Sequence, residues 1–409
     1  MIHIGRPSLF APLAERNFRR FLSGQALISM GVWMQKLAQA WLILELTDSG
    51  LALGLTVACQ QLPTLLFAGT AGALADRFNK RKVVLSTTAY ACLPPLVVGL
   101  AQHAHMVTAW LVIVAALAQG CADVLDRPTR MTLIHDLVPA GTLSKAVALG
   151  NITQETGKLI GPAIGGVLIA LIGLPNVFLI NSGLYVLAFV ALLSVRLPRH
   201  VRAKVTTRMR GNLLGTIRYM ARRPTLAAGL GLMAVSGLFA YNFNVLVTLL
   251  VRDVFGGSAA QAGLAFTSLG LGGIIGGLVL AGTITMNNRS QVAIACWFAA
   301  VFAGVALAPG LMIAYALLFL VGALSVTFRS TSASVLQLNS DPEMRGRVAS
   351  LYYLALVGTS PIGGPLQGWI SELFSARAGF LLGGLSTVIA AIVVRRYLKA
   401  RKSWAPNET

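Results

Sequence analysis

The chain contains twelve predominantly apolar stretches, each long enough to cross a lipid bilayer as a helix. A spanning helix needs about 20 such residues. Hydrophobic residues make up 56% of the 409 residues and charged residues only 11%, whereas soluble chains carry about 25% charged residues. Hydrocarbon requires every backbone polar group to be paired within the protein, and the alternating segments of a transmembrane barrel do not occur, so helices are predicted. The stretches lie near residues 20–45, 51–75, 83–102, 106–126, 146–172, 175–195, 225–251, 260–284, 291–308, 311–335, 349–372 and 378–398.

Basic residues fall in alternate loops between these stretches. Loops rich in lysine and arginine mark the cytoplasmic side of a membrane, so we predict a multi-pass protein with both termini in the cytoplasm. The opposite loops carry only Arg252 and Arg377. Because topology accounts for the net charge of +20, nucleic acid is not an expected partner.

Neither a signal peptide nor a cofactor is expected. The chain begins with polar and basic residues, and the apolar run that follows is too long for a signal sequence. The four cysteines are scattered through apolar runs, and His103 and His105 share a loop without further ligands. This pattern predicts no disulfide framework and no metal site.

A basic linker, residues 196–223, divides the chain into residues 1–195 and 224–409, with six apolar stretches in each part. The linker has nine Lys/Arg and no acidic residue. It is either an amphipathic helix on the inner leaflet or a solvated loop. Its apolar residues recur at helical spacing and are Leu213, Leu214, Ile217 and Met220.

The two halves also echo each other in sequence. Val147 recurs as Val348 and Gly157 as Gly358, each pair 201 residues apart. Repeated halves with a site near the bilayer midplane are the architecture of alternating-access carriers. The predicted fold is therefore an all-α integral membrane protein with twelve transmembrane helices in two pseudo-symmetric six-helix bundles.

The loop after the second stretch carries a glycine, an aspartate four residues later and a basic cluster: Gly72, Asp76, Arg77, Lys80, Arg81 and Lys82. This pattern resembles the signature loop of the major facilitator superfamily. The family usually has glycine at Asn79, and asparagine also tolerates a left-handed backbone. The resemblance implies that Asp76 pairs with an arginine of the fourth span, Arg127 or Arg130, and latches the cytoplasmic side.

The fifth span contains a glycine string formed by Gly157, Gly161, Pro162, Gly165 and Gly166. Glycines four residues apart make a flat face for a neighbouring backbone, and the proline is expected to bend the helix. The string is similar to the antiporter motif of major facilitator exporters, which implies export; ordinary close packing is the alternative. Glycines at 270, 273, 276 and 277 of the eighth span are an available partner face.

Three further strings, at residues 17–20, 46–54 and 341–348, narrow the resemblance to the branch of the bacterial enterobactin exporter and the transmembrane secretion effectors. The resemblance implies a monomeric, lipid-embedded carrier of the bacterial cytoplasmic membrane that exports drugs or siderophore-like molecules, with protons as coupling ion. The alternatives are an importer or lipid-handling carrier on the same fold, and a non-transporting membrane sensor. No enzymatic activity is expected.

Ionisable residues within the spans are costly and indicate function. Glu155 lies ten residues beyond Lys145, about 15 Å along a helix, and Lys158 is one turn further. Glu155 is the first candidate for proton coupling and Asp123 the second, although a permanent Glu155–Lys158 pair and a place for Asp123 in the latch are the alternatives. Arg329, the counterpart of Arg127 in the second half, is expected to be structural. Residues that line a cavity, or bond between helices, are predicted to be Gln35, Lys36, Gln39, Asn151, Lys158, Asn242 and Asn244.

Overall fold

The computed structural model describes residues 9–195, 213–279 and 285–401, without the side chains of residues 68–77, 213 and 279. Regular structure in these ranges is entirely helical. Two short 3₁₀ helices, Ala11–Ala14 and Ala140–Thr142, and a π-helix at Leu250–Val254 accompany the α-helices. The α-helices are α1 (Arg16–Thr47), α2 (Gly50–Arg77), α3 (Lys80–Ala91), α4 (Leu93–His103), α5 (Ala109–Leu137), α6 (Leu143–Leu193), α7 (Leu213–Ala221), α8 (Pro224–Phe239), α9 (Phe243–Leu249), α10 (Ala259–Val279), α11 (Asn288–Ala306), α12 (Leu311–Leu338), α13 (Arg345–Val357), α14 (Ser360–Leu373) and α15 (Ala376–Ala400).

Ten segments of the described chain are long and apolar enough to cross a membrane. The sequence predicts twelve, and two places account for the difference. The predicted fifth and sixth spans lie in a single segment of 54 residues, Ala140–Leu193. The predicted eleventh span is divided into α13 and α14, of 13 and 14 residues, so neither piece reaches spanning length alone.

The long helix α6 consists of two helical segments that meet at Gly173. This residue has φ 81° and ψ 162°, while its neighbours keep helical backbone angles. That backbone region is accessible almost only to glycine. Pro162 also lies within α6 but at helical angles, so the sharp change of direction comes from Gly173 and not from the proline.

The chain forms two compact units. The first comprises Met1–Gln39 and Leu62–Thr207, and the second comprises Ala40–Gln61 and Arg208–Thr409. This division differs from the predicted boundary in the linker because the end of α1 and the start of α2 pack with the second unit.

Each unit has its own apolar core. In the first unit Phe18 and Phe21 of α1 are buried with Tyr185 of α6. The second unit has an aromatic cluster, defined here as six rings with neighbouring centroids 4.8–6.1 Å apart. Its members are Tyr241, Phe243, Phe298, Phe302, Phe328 and Phe380.

Polar side chains fix where several helices begin. Asn79 accepts hydrogen bonds from the backbone N–H groups of Arg81 and Lys82 and thereby caps α3. Thr108, Asn287 and Ser375 cap α5, α11 and α15 in the same way. Capping satisfies backbone donors that have no partner within the helix. Asn79 itself is extended, with φ −66° and ψ 111°, so the left-handed backbone that asparagine tolerates is not used here.

The structure describes only the end of the predicted linker, where α7 spans Leu213–Ala221, and residues 196–212 lie outside the described residues. Met220 of α7 is buried against Leu226 and Leu336, whereas Leu214 remains 76% exposed. Arg223 donates to Asp341 at 2.7 Å, and Tyr219 donates to the same carboxylate at 3.0 Å. These hydrogen bonds hold the pKa of Asp341 below its usual value, so the contact is lost only when the pH falls through that lowered pKa.

Replacing Gly173 should destabilise the protein. We expect Gly173→Ala to cost about 1–3 kcal/mol, because alanine must adopt a backbone conformation that is strained for any residue with a Cβ atom. The thermal unfolding midpoint of the purified protein measures this. Gly231→Ala is the matched control, since a Cβ there meets nothing within 4 Å. Equal midpoints for the two variants would show that the backbone at Gly173 is not constrained.

Candidate functional site

Four side chains of the first unit form a cluster, called here the Trp33 cluster: Trp33, Lys36, Glu155 and Lys158. Lys158 pairs with Glu155 at 2.5 Å, as the spacing predicts. The ammonium groups of Lys36 and Lys158 lie 4.2 Å and 5.9 Å from the centroid of the Trp33 ring. The face of an indole ring attracts cations within about 6 Å. One aromatic ring and one carboxylate therefore stabilise two lysines within the spans.

The carboxylate of the Trp33 cluster is accessible. The Glu155 side chain is 47% exposed and that of Lys158 is 32% exposed. A carboxylate in such a position can exchange a proton, whereas a fully enclosed ion pair cannot.

The second coupling candidate, Asp123, lies close to the same cluster. It accepts a hydrogen bond from Arg127 at 2.9 Å, and its side chain is only 14% exposed. Lys36 interacts electrostatically with Asp123, Arg127 and Lys158. Asp123 is thus paired with a predicted latch arginine and interacts with one lysine of the cluster, Lys36.

Arg130 is the centre of a buried polar network. Its guanidinium donates to Asp126 at 2.5 Å, to Thr88 at 2.6 Å and to Gln25 at 3.4 Å. Thr87 donates to the other oxygen of Asp126 at 2.7 Å. The Arg130 side chain is only 6% exposed, so these groups supply the hydrogen bonds that water would otherwise make to the buried charge. The network fastens α1, α3 and α5 to one another.

The predicted latch residues are only partly described. The side chains of Gly72, Asp76 and Arg77 lie outside the described residues. Arg81 donates to the carbonyl of Leu193 at 2.8 Å. In the same way Arg20 donates to Ser194 at 2.7 Å. The carboxyl end of a helix carries a partial negative charge that attracts cations. Arg20 and Arg81 therefore stabilise the end of α6.

The glycine string of the fifth span packs against α1. A Cβ atom on Gly161 would come within 2.7 Å of the Met30 carbonyl oxygen, and one on Gly165 within 2.7 Å of Met34. Gly157 similarly faces Ser29, while Pro162 and Gly166 are buried. Only glycine permits this approach.

The glycines of the eighth span have a different neighbour. In α10, Gly272 faces Phe319 and Gly276 faces Ala323, both on α12. The partner face suggested for the glycine string is therefore already occupied by α12, and α1 fills the place facing the string. Sequence periodicity predicts both flat faces, and within each unit their described neighbours are α1 and α12.

The neutral cavity candidates take different positions. Gln35 is buried and accepts a hydrogen bond from Asn181 at 2.6 Å, which is a bond between helices. Gln39 is also buried, whereas Asn151 is exposed. Asn242 is buried and donates to Leu238 at 2.7 Å. Asn244 is half-buried, in the first turn of α9.

The connection between α1 and α2 is held by the second unit. Glu372 accepts hydrogen bonds from the Ser49 hydroxyl at 2.7 Å and from the Leu51 backbone N–H at 3.0 Å. Asp48 pairs with Arg252 at 2.9 Å. Gly50 approaches the backbone of α14 at Gly368. These contacts explain why residues 40–61 cluster with the second unit.

Two functional groups are missing from the sequence-based set of site residues. Trp33 precedes Lys36 by three residues, which places the ring and the ammonium group on one helix face. Asp126 precedes Arg130 by four residues, the spacing of an intrahelical ion pair. The spacings were visible in the sequence, but the choice among the neighbouring charges required the positions of α1 and α3.

Comparison with known proteins gives a consistent result. A family described as transmembrane secretion effector matches residues 7–406. The Staphyloferrin A transporter of Staphylococcus aureus is 25% identical over 93% of this chain and 97% of its own length. Macrolide efflux protein A of Streptococcus pyogenes is 24% identical over 94% of this chain and 97% of that protein. The multidrug efflux pump Tap of Mycolicibacterium fortuitum is 24% identical, with coverage of 86% and 88%.

Solved structures share the fold. The nucleoside transporter NupG superposes with a TM-score of 0.70 at 13% identity and covers 94% of this chain and 99% of its own. A bacterial homolog of the human lysosomal transporter Spinster, in an inward-facing and occupied conformation, superposes with a TM-score of 0.71 at 15% identity. It covers 95% of this chain and 98% of its own.

Removing the carboxylate of the buried network should leave Arg130 without its counter-ion. We expect Asp126→Asn to destabilise the protein by about 3–5 kcal/mol, the cost of an unpaired buried charge. Asp136→Asn, which breaks the exposed pair with Lys80, should cost less than about 1 kcal/mol. Thermal unfolding of both variants checks this. Equal losses would contradict a special role for the buried pair.

Proposed function

Because the chain belongs to the transmembrane secretion effector family of major facilitator transporters, we propose that it exports small amphipathic molecules in exchange for protons. The molecules are drugs or siderophore-like metabolites, and the protein works as a monomer by alternating access. It lies in the bacterial cytoplasmic membrane, with twelve spans in two six-helix halves and both termini in the cytoplasm.

The observation that carries export is the near full-length similarity to proteins named for efflux. Macrolide efflux protein A and the efflux pump Tap align with 94% and 86% of this chain. The glycine string that resembles the antiporter motif supports the same direction. The positive-inside distribution of Lys/Arg supports the proposed orientation.

The Trp33 cluster is the proposed coupling site. Glu155 is accessible, paired at 2.5 Å and next to a second lysine. When a proton from the outer side binds the Glu155 carboxylate, the negative charge is lost and the attraction to Lys158 disappears. Release of that proton to the cytoplasm restores the pair. Binding and release thus switch the charge of the cluster by one unit per cycle, and the cargo moves in the opposite direction.

Asp123 is the second proposed coupling residue. Its pairing with Arg127 supports a role in the latch as well, because protonation of Asp123 would release the Arg127 side chain from this ion pair. The glycine string, packed on α1 beside the cluster, is proposed to keep water out of this region. A dry contact would prevent protons from crossing without cargo.

Neutralising Glu155 should uncouple transport from the proton gradient. We expect Glu155→Gln to abolish proton-driven accumulation of a probe set (ethidium, rhodamine 6G and 2-naphthoate) in everted vesicles. Exchange of probe between equal concentrations on both sides, without a pH gradient, should persist because glutamine keeps the shape of the side chain.

Glu343→Gln, at an exposed loop position, is the matched control and should accumulate probe like the wild type. Active accumulation by Glu155→Gln at the wild-type rate would remove Glu155 from the mechanism. Applied to Asp123→Asn, the same assay ranks the two carboxylates.

Opening the glycine string should let protons leak. We expect Gly161→Ala to raise the rate of cargo-free proton entry into proteoliposomes severalfold, because its methyl group must displace Met30 or Trp33 of α1. Gly183→Ala lies in the same helix with nothing within 4 Å and should not change the rate. A pH-sensitive dye in the lumen gives the rates. No difference between the variants would mean that the string is only a packing feature.

A further inference from the structure

Arg329 of α12 is a cation within a predicted span, and part of its guanidinium has no hydrogen-bond partner among the described residues. It is the nineteenth of the 28 residues of α12, about 14 Å from the end of that helix at 1.5 Å per residue. Its Nε is buried and has no hydrogen-bond partner. Among the residues that the structure describes, no carboxylate forms an ion pair with it. By contrast, Arg20, Arg81, Arg127, Arg130, Arg223 and Arg252 each contact a carboxylate or a carbonyl oxygen.

The surroundings of Arg329 are aromatic and fixed. The centre of its guanidinium lies 6.0 Å from the centroid of the Tyr241 ring. Tyr241 is held on α12 by a hydrogen bond from its hydroxyl to the Ser325 carbonyl at 3.0 Å. Tyr352 donates to the carbonyl of Arg329 itself at 2.9 Å. The tyrosine hydroxyls are therefore used by the backbone and do not neutralise the charge.

Two helix breaks lie beside this arginine. Tyr241 stands in the gap between α8 and α9, and Gly358 and Thr359 separate α13 from α14. The gaps adjoin, because a Cβ atom on Gly237 would lie 2.6 Å from the Ala355 carbonyl and 2.7 Å from the Thr359 hydroxyl. Interrupted helices within a membrane are tolerated where the backbone is buried in protein or lines a cavity, and in transporters such breaks form substrate sites. The breaks and the unpaired cation thus coincide in one region of the second unit.

We infer that Arg329 and Tyr241 form a binding site for the anionic end of an aromatic cargo molecule, a carboxylate above all. A guanidinium is always charged, presents two parallel N–H donors to a carboxylate and is retained in hydrocarbon only with a partner. The adjacent Tyr241 ring is stacked on Phe298 but is still partly exposed, so it gives an aromatic group an apolar contact beside the guanidinium. The sequence predicts a structural role for Arg329, and the inference proposes substrate recognition in its place. This inference rests on the proposed export function and names its substrate class.

Equilibrium binding to the full-length protein in phosphatidylcholine nanodiscs tests the site. The probes are 2-naphthoate and 2-naphthamide, which share one ring system and differ in charge. The wild type should bind naphthoate at least tenfold more tightly than the amide. Arg329→Gln should remove that preference, and Arg329→Lys should keep part of it because the charge remains while the paired donors are lost. Arg396→Gln, at an exposed position of α15, should keep all of it.

The inference is overturned if the wild type has no preference for naphthoate or if the preference survives in Arg329→Gln. Should Arg329→Gln fail to fold, Arg329→Lys decides, since a reduced preference supports the site and a full one rejects it. The assay contains no pH gradient. A protein that binds naphthoate through Arg329 but exports nothing would contradict only the proposed function, and an exporter without the preference would contradict only the site.

Discussion

Hydrocarbon does not solvate charge, so each ionisable group within the spans depends on the protein for its partners. Arg130 shows the complete solution, with a carboxylate, a threonine and a glutamine around one guanidinium. Lys36 and Lys158 show a partial one, in which a tryptophan ring and a single accessible carboxylate serve two cations. Arg329 shows none. The number of polar partners around each cation thus differs. The fully paired Arg130 holds helices together, whereas the less fully paired groups are the proposed sites of proton exchange and ligand binding.

Close backbone approach is the second constraint, and it is met by glycine. The glycine string on α6 packs closely against α1, and the glycines of α10 pack against α12. Gly50 and Gly54 pack against the backbone of α14. The first of these contacts sets the position of Trp33 relative to Glu155, because both lie along the α1–α6 contact. Packing and chemistry are thus coupled, since a shift of one helix by the size of a methyl group also moves the ring that the two lysines share.

The sequence was sufficient for the helical class, the membrane location and the pair Glu155–Lys158, because hydropathy, loop charge and helical spacing are local properties. It was insufficient where a choice depended on a neighbouring helix. Arg130 has Asp126 as its described partner, α1 packs against the glycine string, and Gln35 bonds to Asn181. The backbone at Gly173 and the cap at Asn79 were also beyond reach, since either residue type is compatible with several turn geometries.

A proton-driven exporter requires the pH gradient itself to move cargo. The direct measurement uses wild-type protein in proteoliposomes with an acidic lumen, with lumenal ethidium and 2-naphthoate followed over time. Neither probe is trapped passively by acid, because ethidium is a permanent cation and naphthoate is a weak acid. The account predicts that at least one probe rises above its external concentration and falls back when nigericin collapses the gradient. Accumulation that ignores nigericin, or no accumulation of either probe, would contradict it.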